Sequence, residues 1–96
     1  MPTPLESAIE GTVVRWGKAN GIRTLKIRDA RGWPDRLFLC DGRVLFIEFK
    51  RPGSGGRLST LQKRMIERLE GDGFWVAVIN SVEDGILELK RLRGDA

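Results

Sequence analysis

The chain has 96 residues, of which 41% are hydrophobic and 31% charged, and its formal net charge is +4 at pH 7. This length predicts one domain, residues 1–96, with a modest hydrophobic core. The excess of positive charge favours a polyanionic partner, nucleic acid first among them. The sequence has no histidine and a single cysteine, Cys40, which excludes histidine-based zinc sites, histidine general bases and an internal disulfide. Any metal would be bound by oxygen ligands, and Mg²⁺ or Mn²⁺ is expected.

No segment of the sequence predicts secretion or a membrane span. The apolar runs are shorter than the roughly 18 residues that a transmembrane helix needs. The N-terminal residues 1–6 lack the basic start and apolar stretch of a signal peptide. We therefore expect a cytoplasmic protein with no membrane partner.

Apolar residues at helical spacing predict a first helix over residues 4–18. Thr3 suits the N-cap, Pro4 suits the first helical position, and Glu6 would complete a capping box with Thr3. The helix is expected to end near Asn20–Gly21.

Three strands are predicted next. A short strand covers residues 24–28, and residues 29–34 form a loop. A β-hairpin follows, with strands 36–40 and 44–50 joined by an Asp41–Gly42 turn. Because residues 44–47 are all apolar, both faces of the second hairpin strand should be covered, as in a central strand.

A second helix and a further strand complete the pattern. The glycine-rich residues 52–56 predict a loop, and Ser59 and Gln62 form a capping-box pattern for a helix that ends at residues 71–73. The apolar stripe of this helix is Leu61, Met65 and Leu69. Residues 74–79 predict another buried strand, whereas the segment after Ser81 fits either a helix or a strand. The order αβββαβ predicts an α/β fold with a mixed β-sheet flanked by helices.

Two acidic residues and a lysine converge in the predicted hairpin. Asp35 opens its first strand and Glu48 lies near the end of its second, so antiparallel pairing places them side by side. Lys50 shares a face with Glu48, because side chains alternate along a strand. Two converging carboxylates repel each other unless a cation lies between them, which indicates a site for a hard divalent metal.

Lys50 would then orient a water molecule and stabilise charge that develops on a phosphate. The pattern therefore predicts phosphodiester hydrolysis. The alternatives are structural, since aspartate after Pro34 is common in turns and Glu-x-Lys often forms a solvated ion pair.

Three segments resemble the virus-type replication-repair nuclease (VRR-NUC) family of the PD-(D/E)xK superfamily. They are Gly32-Trp33-Pro34-Asp35-Arg36, Ile47-Glu48-Phe49-Lys50-Arg51-Pro52-Gly53 and Leu58-Ser59-Thr60-Leu61-Gln62. The resemblance extends from about Glu6 to about Ser81 and implies a restriction-endonuclease-like core. It also implies a DNA endonuclease dependent on Mg²⁺ or Mn²⁺, similar to stand-alone phage or bacterial repair nucleases. Such proteins act as homodimers on branched DNA such as Holliday junctions, in a bacterial or phage-infected cell.

The resemblance also implies roles for residues. Asp35, Glu48 and the backbone carbonyl of Phe49 would bind the metal, and Lys50 would be the catalytic lysine. Gln62 would lie near the site, a role compatible with its capping of the second helix.

The family further has a glutamate on the first helix that faces the metal. Glu6 and Glu10 are both candidates for this role. We predict Glu10 as the catalytic and metal-binding residue, because Glu6 is already assigned to the capping box.

Basic residues flank the proposed site on both sides. The candidate DNA contacts are Lys26, Arg28, Arg31, Trp33, Arg36, Arg51, Arg57 and Lys63. Each basic side chain could instead serve solubility, and Trp33 could stack on an exposed base or anchor its loop to the core. The alternative functions are a non-catalytic module that binds branched DNA and a protein–protein adaptor with a fortuitous motif.

Overall fold

The computed structural model describes residues 5–53 and 56–95. The elements in chain order are α1 (Glu6–Ala19), β1 (Arg23–Lys26), β2 (Arg36–Cys40), β3 (Arg43–Phe49), α2 (Thr60–Gly71), β4 (Trp75–Ile79) and α3 (Val82–Arg93). This is an α/β fold with a restriction-endonuclease-like core, which confirms the predicted class. Within the described ranges, no helix has the length and apolar character needed to cross a membrane.

The four strands form one mixed sheet in the order β1-β2-β3-β4. The first two pairings are antiparallel, and β3 pairs with β4 in parallel across the α2 crossover. The hairpin turn is the predicted one, since Asp41 and Gly42 both have positive φ, 49° and 80°, as a type I′ turn requires. Because Arg36 pairs with Ile47, Asp35 lies opposite Glu48 at the open end of the hairpin.

The helices α1 and α3 cover one face of the sheet and enclose the hydrophobic core. The fully buried residues of this core include Ile9, Val13, Phe38, Leu45, Ile47, Phe49, Leu89 and Leu92. A Cβ atom on Gly85 would lie 2.6 Å from a methyl carbon of Val13, so this glycine allows α3 to approach α1 closely. The segment after Ser81, for which the sequence fits either a helix or a strand, is the helix α3. The Ser81 side chain caps it by accepting a hydrogen bond from the backbone N–H of Asp84.

The opposite face of the sheet is covered only in part. The helix on this face is α2, and it packs against β4. Residues Leu45 to Phe49 of β3 are all buried, which confirms the prediction of a central strand. The prediction that residues 74–79 form a buried strand is wrong for one face, since β4 is an edge strand and Val78 is 45% exposed. Leu61, predicted in the apolar stripe of α2, is also 45% exposed, whereas Leu69 is buried.

The start of α1 differs from the prediction. The helix begins at Glu6 with Leu5 at the N-cap and no side-chain cap. Glu6 is thus the first helical residue and not the third, as a capping box requires. Thr3 and Pro4, and residues 54 and 55 of the predicted glycine-rich loop, lie outside the described residues.

Candidate active site

Asp35, Glu48 and Lys50 meet at the open end of the β2–β3 hairpin. The backbone N–H of Phe49 donates a 2.8 Å hydrogen bond to Asp35 Oδ2, which holds Asp35 against the end of β3. Glu48 is 3% exposed, and Lys50 Nζ lies 3.3 Å from Glu48 Oε2. Because side chains alternate along β3, these groups point away from the core formed with α1 and α3.

Gln62 contributes to this site and to the start of α2 at the same time. Its side-chain Oε1 accepts a 2.9 Å hydrogen bond from the backbone N–H of Ser59, and its backbone N–H donates to Ser59 Oγ at 3.1 Å. The predicted capping box is therefore present. Its Nε2 donates to Glu48 Oε2 at 2.6 Å. The two interpretations of Gln62 are therefore compatible, and the cap orients the amide towards the carboxylate.

Glu48 is the most perturbed acid of the site. Burial, followed by the negative charge of the neighbouring Asp35, raises its pKa from 4.5 to about 7, although Lys50 acts in the opposite direction. Glu48 Oε2 is engaged by Gln62 and Lys50, but Oε1 is buried and has no hydrogen-bond partner among the described residues. A buried acceptor without a partner costs free energy, so Oε1 is ready to bind a cation or a proton.

Glu10 lies in a separate ion-pair network. Its carboxylate accepts hydrogen bonds from Lys26 Nζ at 2.9 and 3.0 Å and from Arg36 Nε at 2.6 Å. Burial alone would raise the pKa of Glu10, but these two cations outweigh it and the pKa is lowered. Lys26 Nζ also lies 3.9 Å from Asp35 Oδ1. Glu10 therefore reaches the site through Lys26, a contact that depends on the β1–β2 register and has no local signal in the sequence.

A VRR-NUC domain model matches the chain over residues 15–83. The match covers well over half of the chain and includes Asp35, Glu48, Lys50 and Gln62. The chain belongs to the VRR-NUC family. The members of this family are nucleases, generally dependent on a divalent metal, and a nuclease domain implies DNA as the substrate. No curated protein sequence matches the chain.

The match begins at Arg15, later than the expected start near Glu6, so Glu10 lies outside it. The metal-binding role of Glu10 stays a prediction.

The residues of this VRR-NUC domain fit a hard divalent cation. Asp35 and Glu48 supply carboxylate oxygens, and Glu48 Oε1 is free to accept. Within residues 5–53 and 56–95, no three His, Cys, Asp or Glu side chains are close enough to bind one ion together. Protein Mg²⁺ sites commonly use one or two carboxylates and take their other ligands from water and substrate phosphates. The backbone carbonyl of Phe49 could add one protein ligand.

The candidate DNA contacts fall into two groups. Lys26 and Arg36 are engaged by Glu10, so their charges are partly neutralised within the protein. The second group is exposed at the surface and comprises Arg28, Arg31, Arg51, Arg57 and Lys63. Trp33 packs on Phe46 with a ring-centroid distance of 6.2 Å and is still 38% exposed. It therefore anchors its loop and also leaves part of the ring accessible.

Proposed function

We propose that this VRR-NUC protein is a Mg²⁺- or Mn²⁺-dependent endonuclease that hydrolyses phosphodiester bonds in DNA and selects branched structures such as Holliday junctions. The main support for metal dependence is the Glu48 carboxylate, which is buried beside Asp35 with one oxygen lacking a partner. A divalent cation at this point would neutralise two neighbouring negative charges and satisfy that oxygen.

Each residue of the site has a role in the proposed reaction. Asp35 and Glu48 would hold the cation, which would supply Lewis-acid polarisation of the scissile phosphate and lower the pKa of a bound water. Gln62 fixes Glu48 Oε2 by a hydrogen bond, so that Oε1 would be the oxygen available to a cation. Lys50, 14% exposed, lies where its ammonium group can orient the attacking water and stabilise the negative charge of the transition state.

The proposal is tested with a labelled four-way junction and a linear duplex of matched sequence. Each is incubated with the protein in Mg²⁺, Mn²⁺ or EDTA, beside the variants Lys50→Ala and Lys90→Ala. The second variant removes an exposed lysine of α3 and controls for the loss of one positive charge. We expect metal-dependent cleavage of the junction that EDTA and Lys50→Ala abolish and Lys90→Ala leaves intact.

The other outcomes have distinct meanings. Equal cleavage of junction and duplex would retain the nuclease and remove branch selectivity. A junction that is bound but never cut in any metal would favour the alternative of a non-catalytic DNA-binding module.

A homodimer is part of the proposal, because a four-way junction has two-fold symmetry. The outer face of the sheet supports it: Leu25 of β1 is 63% exposed, and its neighbours on this face, Leu37 and Leu39 of β2 and Val44 of β3, are partly exposed. Light scattering after size exclusion should give a dimer mass for the wild type and a monomer mass for Leu25→Lys. A monomeric wild type at micromolar concentration would contradict this part of the proposal.

A further inference from the structure

A basic cavity of about 530 Å³ opens beside α2. It is lined by Arg31, Leu61, Arg64, Met65, Glu67 and Arg68. Three of these residues carry a guanidinium group and one carries a carboxylate. The cavity therefore has a net positive charge and an apolar floor, since the exposed Leu61 side chain and Met65 line it.

The three arginines are available for a ligand. Neither Arg31, Arg64 nor Arg68 has a side-chain hydrogen bond or ion pair within the described parts of the chain. Lys26 and Arg36 are the opposite case, because both already pair with Glu10. The basic residues near the site therefore differ mainly in whether an acidic side chain already pairs with them, and less in their distance from the site along the chain.

The arginines also have a geometry that suits a chain of phosphates. Arg64 and Arg68 are four residues apart on α2, so they lie on one helix face with an axial separation of about 6 Å. Arg31 approaches from the loop before β2. That loop packs tightly on the first turn of α2, since a Cβ atom on Gly32 would lie 3.0 Å from the Leu61 carbonyl oxygen.

The cavity and the active site are built from the same two segments of the chain. Leu61 lines the cavity, and the next residue, Gln62, donates its hydrogen bond to Glu48. The loop that carries Arg31 continues through Trp33 to Asp35. A ligand in the cavity would thus lie on the segments that also carry Gln62 and Asp35.

We propose that this cavity binds the phosphodiester backbone of one DNA strand next to the phosphate that is cleaved. Arg31, Arg64 and Arg68 would each pair with a phosphate, and the stems of these side chains with Leu61 would pack against the sugars. This inference rests on the proposed nuclease function, since it says where one strand of the DNA substrate would bind. Backbone contacts of this kind predict affinity without sequence preference.

The test measures binding separately from cleavage. Fluorescence anisotropy of a labelled duplex and a labelled junction is recorded in EDTA over a range of salt concentrations. The variant Arg31→Gln/Arg64→Gln/Arg68→Gln is compared with Lys18→Gln/Arg23→Gln/Lys90→Gln. Both variants lose three positive charges, and the control residues are exposed positions of α1, β1 and α3. Circular dichroism is recorded to check that both variants are folded.

The cavity variant is expected to bind about tenfold or more weakly, and the slope of log affinity against log salt should fall by two to three, about 0.9 for each lost phosphate contact. Equal losses in both triple variants would overturn the proposal and leave only a general effect of charge. If neither the wild type nor any variant cleaves DNA, the nuclease function fails, yet a selective loss of binding would still support the cavity.

Discussion

The protonation of Glu48 couples the free energy of unfolding to pH. The pKa of this buried carboxyl rises from 4.5 to about 7 on folding. In the metal-free protein, the folded state therefore retains a proton between these two values that the unfolded state releases. Since a raised pKa stabilises the fold at low pH, this contribution is complete below pH 4.5 and is lost as pH rises through 7. Each pKa unit corresponds to about 1.4 kcal/mol, so the loss reaches up to about 3 kcal/mol.

Urea unfolding in EDTA at a series of pH values from 5 to 8, followed by tryptophan fluorescence, measures this effect. The substitution Glu48→Gln keeps the shape and the hydrogen bond from Gln62 but cannot ionise. We expect the wild type to lose up to about 3 kcal/mol relative to this variant over that range. Glu67→Gln, an exposed change on α2, should follow the wild type. Parallel curves for the wild type and Glu48→Gln would refute the reasoning, because Glu48 would then ionise in the folded state without penalty.

Three further substitutions test the packing and the surroundings of the site. Gly85→Ala should destabilise the fold by about 1–3 kcal/mol in urea unfolding, because the added Cβ atom would lie 2.6 Å from a methyl carbon of Val13. The control Gly71→Ala should be neutral, because a Cβ atom there would meet no atom within 4 Å. Gln62→Ala should weaken Mg²⁺ binding in calorimetry by about ten- to hundredfold. Ser59→Ala removes the hydroxyl that caps α2 but keeps the backbone amide that binds Gln62 Oε1, so it should leave Mg²⁺ binding unchanged. Equal effects of the two substitutions would reduce Gln62 to a capping residue. Glu10→Gln should lower the cleavage rate about tenfold or more, because it releases the two cations beside Asp35; full activity would exclude Glu10 from the site.

The hairpin was the most predictable part of the molecule. Its turn, its strand limits and the alternation of its side chains depend on neighbouring residues, so Asp41–Gly42 and the central position of β3 followed from the sequence. The same local rules placed Asp35 opposite Glu48 and Lys50 on the face of Glu48. The capping box of α2 is equally local, although its side-chain contact with Glu48 is not.

The remaining features depend on packing between elements that are distant in the sequence. Glu10 meets Lys26 and Arg36 only because α1 crosses the sheet beside β1 and β2. Gly85 weakened the prediction of a helix after Ser81, because helix propensity is a local quantity and the close contact with α1 is not. The exposed face of β4 could not be foreseen either, since a run of apolar residues does not show whether a strand lies at the edge of its sheet.

The distribution of charge explains how one small domain could hold both a metal and a nucleic acid. A net charge of +4 does not by itself show which basic residues are available to DNA. Beside the carboxylates, Lys26 and Arg36 pair with Glu10, and Lys26 and Lys50 also lie within 4 Å of Asp35 and Glu48, respectively. The oxygen left for a cation is Glu48 Oε1, which has no hydrogen-bond partner among the described residues. Beside α2, Arg64 and Arg68 have no such partner among the described residues and suit an anion. In the proposed reaction, a phosphate between these two regions would meet a metal ion on one side and guanidinium groups on the other, and both would stabilise the negative charge that develops during phosphodiester cleavage.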